Sequence, residues 1–504
     1  MPLVRKKGFD TKKYLNVQKK AIEKRLAKFS DRLYLEFGGK LLDDFHASRT
    51  LPGYDPNAKV FLLKDLNRDL EILYCVSAKQ LADGKIRGDL GIDYGLATIK
   101  ALQDLKELNL PVAGVVINRF EGESEARILE KRLKRIGIRV FKRYEIEGYP
   151  NNVDNILSAQ GYGGDDYIEF EKSLVVVWGA GPGSGKLSTC LGQIYQDAKR
   201  GMNSGYAKFE TFPVWNLPLE HPVNIAYEAA TADLGDFNLI DPFHLRAYKK
   251  SVVNYNRDVD SFPIIKGIFD KILDKKNFSR HYRSPTDMGF NVLKKGIVDD
   301  GIISEAAKKE IVFYLFRYRQ EYRRGLGREA TITRTISLMK KLKIDEEYLK
   351  TVPAARKAKK EAMKEKDKGE KGIYCGAAIE LPHGKIITGK NSPLLHAETA
   401  AVLNAIKTLG GISDETDLIA PEIIKQIVGL KKQIYEKSQS LSCSEAILAL
   451  AVSSPQCQAQ KFLNNLRGCF MHTTHELSLP DKNIFRKLGI WVSTDGEIAK
   501  IKNK

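Results

Sequence analysis

The stretch from Leu174 to Thr189 restricts the fold more than any other part of the chain. Leu174 to Trp178 (LVVVW), with three consecutive valines, reads as a buried strand; GAGPGSGKLST follows, and LGQIYQDAKR after it suits a helix. That order belongs to a parallel sheet with crossover helices. Glycines let backbone N–H groups turn inward, and a helix N-terminus adds the positive end of its dipole, so a bound anion is expected. The residues assigned to it are Gly179, Gly181, Gly183, Ser184, Gly185, Lys186 and Ser188, with Lys186 as a point charge on phosphate oxygens. Against GxxxxGK[ST], Ala180 stands for the first glycine and Leu187 for the hydroxyl that holds Mg²⁺, although Ser188 and Thr189 follow. Against GxGxxG, a start at Gly179 puts Ser184 last and a start at Gly181 puts Lys186 last. Glu210 lies roughly 20 residues on, where a dinucleotide fold keeps its ribose-binding acid. ATP or another nucleotide and NAD(P) therefore both stay open, as does Mg²⁺.

The first half repeats this rhythm. Strands are expected at Leu33 to Phe37, Leu70 to Val76, Val112 to Asn118 and Ile138 to Tyr144, with helices at Ile99 to Leu108 and Ser124 to Ile136. The fold class is α/β, a parallel Rossmann-like or P-loop-like sheet with a mixed middle region and a smaller α+β C-terminal domain. The expected division is 1–200 for the phosphate- or nucleotide-binding domain, 201–353 for a mixed region completing the cleft, 354–372 for a charged linker or exposed helix end, and 373–504 for the last domain. Helices are expected near Pro263 to Leu273 and Glu305 to Tyr322. In the last domain, Tyr374 to Ile379 and Ile386 to Thr388 form a hairpin around Pro382, His383 and Gly384. Helices follow at Leu395 to Leu409, Pro421 to Glu436, Ser444 to Val452 and Cys457 to Leu466, then a strand at Gly489 to Ser493.

A chain of 504 residues, 43% hydrophobic, buries a full core. No run approaches the ~20 apolar residues of a membrane span, and Met1 to Lys7 leads into polar sequence, so a cytoplasmic protein without a membrane partner is expected. Six cysteines without a CxxC pair argue for reduced thiols. The formal charge of +19 favours anionic partners, but its basic runs, Arg317 to Arg328 and Lys340 to Lys371, match no specific nucleic-acid motif and read as solvated helix faces. A phosphorylated small molecule or nucleotide is the expected partner, and a homo-oligomer the expected state.

A second polar loop, FGGKLLDDFHASRTLPGYDP from Phe37 to Pro56, follows a strand. Lys40, Asp43, Asp44, His46 and Arg49, with Ser48 among them, offer acid, base and phosphate-pairing chemistry and are the catalytic candidates; a capped helix start explains them equally well. Arg87, Gly88, Asp89 and Asp93, the run NYNRDVD with Asn254, Asn256, Arg257 and Asp258, and RSPTDMG with Arg283, Ser284, Thr286 and Asp287 form further polar loops or ordinary turns. His396 and Glu398, opening a helix after two strands, are similar to zinc-dependent deaminases, but Cys443 is followed by Ala446 and no PCxxC exists. Zinc is not expected and no metal ligand is assigned. His472 and His475 (HTTH) suit a strand or loop.

Together, FGGKLLDDFHASRTLPGYDP, KIRGDLGIDYG, GPGSGKLSTCL, GYAKFETFPVWNLPLEHPVN, NYNRDVD, RSPTDMG and KNSPLL resemble a bacterial family of proteins of unknown function and nearly this length, over about Phe9 to Ser493. The resemblance implies an α/β N-terminal region and a smaller C-terminal domain, and no established reaction. Some members carry an ATP-dependent peptidase label, for which this chain offers no HExxH, no GxSxG and no Cys/His signature. His396 and Glu398 read as a local variation. The function expected is an ATP-dependent transferase or ligase acting on a small molecule. The alternatives are an NAD(P)-binding Rossmann-type oxidoreductase and a non-catalytic nucleotide sensor.

Overall fold

The computed structural model describes residues 6–87, 90–290, 292–434, 439–453 and 459–497. The chain forms two compact units, one of residues 8–228 with 236–303, the other of residues 304–504 with two short pieces, 1–7 and 229–235.

The N-terminal unit is built on β1 (Arg32–Phe37), β2 (Leu70–Ser77), β3 (Val112–Phe120), β4 (Val140–Tyr144), β5 (Leu174–Gly179) and β6 (Ser204–Phe209). They form one six-stranded sheet in the order β4-β3-β2-β5-β1-β6, every neighbouring pair parallel. A parallel sheet covered on both faces wants strands apolar throughout, which is why LVVVWG lies at its centre with every residue buried. Alternate side chains point to opposite faces. Leu33, Leu35, Val176 and Trp178 pack with residues of α1 (Thr11–Leu26), α3 (Ala58–Asp65), α4 (Tyr94–Glu107) and α5 (Ser124–Arg135); the short α2 (Phe45–Thr50) precedes α3. Tyr34, Val175, Val177 and Tyr206 pack on the other face with Cys190 and Ile194 of α6 (Lys186–Lys199) and with Phe262 and Ile265 of α7 (Asn256–Ile272).

The strands therefore diverge at their carboxyl ends. The chain leaves β1 and β2 toward helices on the first face, and leaves β5, which lies between them, toward α6 on the second. A crevice opens at such a switch point beyond the strand ends, and the glycine-rich loop lies there.

The C-terminal unit has a four-stranded sheet, β8-β7-β9-β10, of β7 (Gly376–Glu380), β8 (Ile386–Lys390), β9 (Phe470–His475) and β10 (Trp491–Glu497). β7 is antiparallel to both β8 and β9, and β9 is parallel to β10. The first half of the run 354–372 differs from the expected linker or exposed helix end, while 363–372 carries no helix or strand. Residues 354–362 belong to α8 (Thr351–Ala362), in which Val352, Ala355, Ala358 and Ala362 are buried. Their spacing is an apolar stripe made of alanine, which hydropathy alone undervalues. Gly376 admits this helix, since a Cβ there would lie 2.2 Å from Ala355 O. The other face carries α9 (Ala397–Gly410), α10 (Cys443–Ser453) and α11 (Leu479–Leu488), whose Val402 and Phe485 share a core with Ile379 and Met471 of the sheet. The hairpin pairs Gly376 with Lys390 and Glu380 with Ile386, and HTTH is strand β9. The helix expected over Cys457 to Leu466 falls partly outside the described residues; within them it runs Ala459–Leu463. Among the described residues, no helix is long and apolar enough to cross a membrane.

Candidate functional site

Close packing dictates the shape of the loop after β5. A Cβ on Gly179 would sit 2.5 Å from both Cys75 O and Ser184 Oγ, and one on Gly185 would sit 2.4 Å from Asn118 Cγ. Gly185 also takes a φ of 87° as the cap of α6, a conformation side chains resist. Gly181 packs against the hydroxyl of Tyr94, and Gly183 turns beside Gln80 with a φ of 75°. A short helical turn after β2 and the strand β3 tie down the loop's carbonyls: Gln80 Nε2 donates to Pro182 O at 2.9 Å and Asn118 Nδ2 to Ser184 O at 2.9 Å. Asn118 Oδ1 accepts from Thr189 Oγ1 at 3.1 Å, fixing the first turn of α6.

Two of the amides expected to face an anion are spent inside the protein. Ala180 N donates to Cys75 O at 3.0 Å and Ser184 N to Gly181 O at 3.3 Å. Ser184 is fully buried, and its hydroxyl makes no hydrogen bond to a described residue. The amides of Gly183, Gly185, Lys186 and Leu187 make none either. Lys186 is half-buried and has no ion pair or hydrogen bond among the described residues. Ser188 Oγ donates to Tyr162 Oη at 3.4 Å, which turns it away from a metal-holding role.

A charged cluster occupies the carboxyl edge of β1 and β6. Glu36 of β1 is register partner to Val177 of β5 on one side and to Lys208 of β6 on the other, so the three form a row across the sheet. Glu36 accepts from Tyr206 Oη at 2.7 Å. The Lys208 ammonium lies 2.5 Å from Asp258 Oδ1 in the first turn of α7 and 3.2 Å from Glu210 Oε1, and it contacts the Tyr255 hydroxyl. Tyr255 in turn donates to Glu210 Oε1 at 3.0 Å. Burial lowers the Lys208 pKa, but Asp258, Glu210 and Glu36 outweigh it and hold the ammonium charged. Burial pushes the Glu210 carboxyl up to about 7, with Asp258 and Glu36 adding to the rise and Lys208 opposing it. A carboxyl so tuned exchanges a proton near neutrality.

The loop after β1 is mostly structural. Asp44 caps α2 through Ala47 N at 3.3 Å, and its other oxygen lies 3.0 Å from the buried Lys59 ammonium, which also donates to Gly38 O at 3.2 Å. That commitment removes Asp44 from acceptor chemistry. Asp43 is exposed with a φ of 53°, its amide donating to Asn57 Oδ1. His46 stacks edge-on against Phe212, while Lys40 and Arg49 are half-buried. Arg283, Ser284 and Asp287 form a capping box and turn, and Asp93 caps α4; Gly88 and Asp89 lie outside the described residues. Of NYNRDVD, Asp258 joins the cluster and Arg257 pairs with Asp236.

Two family models together match nearly the whole chain: "Domain of unknown function DUF1846, N-terminal" over residues 7–343 and "Domain of unknown function DUF1846, C-terminal" over residues 347–502. A UPF0371 protein of Clostridium tetani (strain Massachusetts / E88) is 46% identical over 495 residues, covering 97% of each chain. A UPF0371 protein of Clostridium botulinum (strain ATCC 19397 / Type A) is 47% identical over 496 residues, again covering 97% of each. The chain belongs to the DUF1846 family.

Proposed function

We propose that the N-terminal unit binds the phosphate groups of a nucleotide at the mouth of α6 and passes a phosphoryl or nucleotidyl group to a small-molecule acceptor, as an ATP-dependent transferase or ligase does. One observation carries this reading: a lysine and four amides, Gly183, Gly185, Lys186 and Leu187, all without a partner among the described residues, surround the N-terminus of a 14-residue helix at a switch point of a parallel sheet. Phosphate oxygens satisfy those donors, and Lys186 balances the charge that grows on them. Glu210 is suited to take the acceptor's proton as the acceptor forms its bond to phosphorus and the bridging P–O bond breaks. With Leu187 in place of a hydroxyl, the loop itself offers Mg²⁺ no side-chain ligand.

The dinucleotide reading is weaker. A Rossmann fold keeps its ribose acid at the end of the strand beside the glycine loop, but β1 intervenes between β5 and β6, so Glu210 follows a strand ~10 Å from the loop's own strand.

Calorimetric titration of the full chain with ATP, GTP, NAD and NADP, with and without Mg²⁺, tests the proposal. Binding of a nucleoside triphosphate, weakened about tenfold or more in Lys186→Ala, is expected. Silence for every nucleotide contradicts it.

A further inference from the structure

Away from the sheet edge, the most tightly gathered metal-ligating groups lie within the C-terminal unit. His396 is the residue before α9, and Glu398 sits in that helix's first turn. Leu395 bridges to Leu441 as a short parallel pair, with His396 N donating to Leu441 O at 3.0 Å and Leu441 N to Leu394 O at 2.7 Å. This pairing sets the start of α10, at Cys443, beside the start of α9. Ser478 caps α11 by accepting from Asp481 N at 3.2 Å, and Ser444 N donates to Asp481 Oδ1 at 3.2 Å, which ties α11 to α10. Three helix N-termini thus meet, a setting that favours anionic groups. One ligand atom each from His396, Glu398 and Asp481 lies within 4.8 Å of the others.

Both carboxylates are 1% exposed. Glu398 Oε1 faces His396 Nδ1 at 3.2 Å. Oε2 lies 3.0 Å from His475 Nε2, at the end of β9, yet accepts no aligned hydrogen bond from a described residue. Beyond the His475 contact this buried oxygen has no aligned donor among the described residues, and a cation would balance the buried carboxylate further.

We propose that His396, Glu398 and Asp481 bind a divalent first-row metal ion of the zinc class, with water completing its coordination. An imidazole with two carboxylates is a nitrogen and oxygen set that suits zinc, manganese or ferrous iron better than calcium or magnesium. His475 acts as a positioning residue that holds the Glu398 carboxylate toward the ion. Cys443 is fully buried at the start of α10, beside this group of three. The site does not need the cysteine pair whose absence in the sequence argues against zinc, because its third ligand comes from α11.

The test is metal-stripped full-length protein titrated with Zn²⁺ and with Co²⁺, with bound metal counted by mass spectrometry. One equivalent is expected, lost in His396→Ala and in Asp481→Asn, weakened ~10- to 100-fold in His475→Ala, and kept in His383→Ala, an exposed histidine of the β7 to β8 turn. X-ray absorption at the zinc edge of the unaltered protein covers the case in which a variant fails to fold. Nitrogen and oxygen neighbours at ~2.0–2.2 Å are expected, whereas a sulfur shell at ~2.3 Å overturns the ligand assignment. Zinc retained by both ligand variants, or no stoichiometric binding by the unaltered protein, overturns the proposal.

Discussion

Asp44 and Glu210 show how the same side-chain type takes opposite roles at neighbouring strand ends. Asp44 faces Lys59, 2% exposed, and although burial raises its carboxyl, Lys59 prevails and holds it below its ordinary value of 3.8. Asp44→Asn keeps the helix cap but strands the Lys59 ammonium, so denaturant unfolding is expected to show a loss of ~3 kcal/mol. The sign with pH follows from the depressed carboxyl. The pair's contribution is fully present above 3.8 and is lost as pH falls through the lower folded value, so the two proteins converge in acid. Glu210 is displaced the other way, to about 7. Turnover of the nucleotide is expected to rise through an inflection near that pH, and Glu210→Gln to abolish the inflection; a profile that keeps it places the proton acceptor elsewhere. Lys186 and Asp258 are legible from loop chemistry. Lys208 and Glu36 are not, because within β-rich runs they read as the polar half of an alternation, and only the register of β1 with β6 brings them together, while Tyr255, inside NYNRDVD, joins them through its hydroxyl.

At the scale of elements, both ends of α6 are glycines with positive φ, Gly185 at 87° and Gly201 at 75°. They differ in surroundings: a Cβ at Gly201 meets nothing within 4 Å, while one at Gly185 collides with Asn118. Gly201→Ala is expected to cost ~1 kcal/mol from the backbone alone, and Gly185→Ala ~2 kcal/mol or more, with loss of nucleotide affinity, because Asn118 holds both Ser184 O and Thr189. Thermal melting with a nucleotide titration checks this; equal costs would mean that Asn118 yields freely. The helices and strands of the first sheet are legible in sequence because apolar period and turn residues agree there. The buried face of α8 is not legible because it is mostly alanine, and small side chains between lysines look like a solvated run. The site at the N-termini of α9, α10 and α11 was half legible, with His396 and Glu398 visible and Asp481 hidden as an ordinary first-turn acid.

On the scale of the whole molecule, the two compact units carry separate chemistry: amides and a lysine without partners among the described residues on the parallel sheet of one, a half-buried histidine and two buried carboxylates in the other. A ligand that binds only the native state protects the backbone it orders. Amide hydrogen exchange of the full chain, with and without a saturating nucleoside triphosphate, therefore tests the central claim most directly. The expected result is slowed exchange at Gly183, Gly185, Lys186 and Leu187, with no change around His396 and Asp481. Unchanged exchange at those four amides, or protection confined to the C-terminal unit, would contradict it.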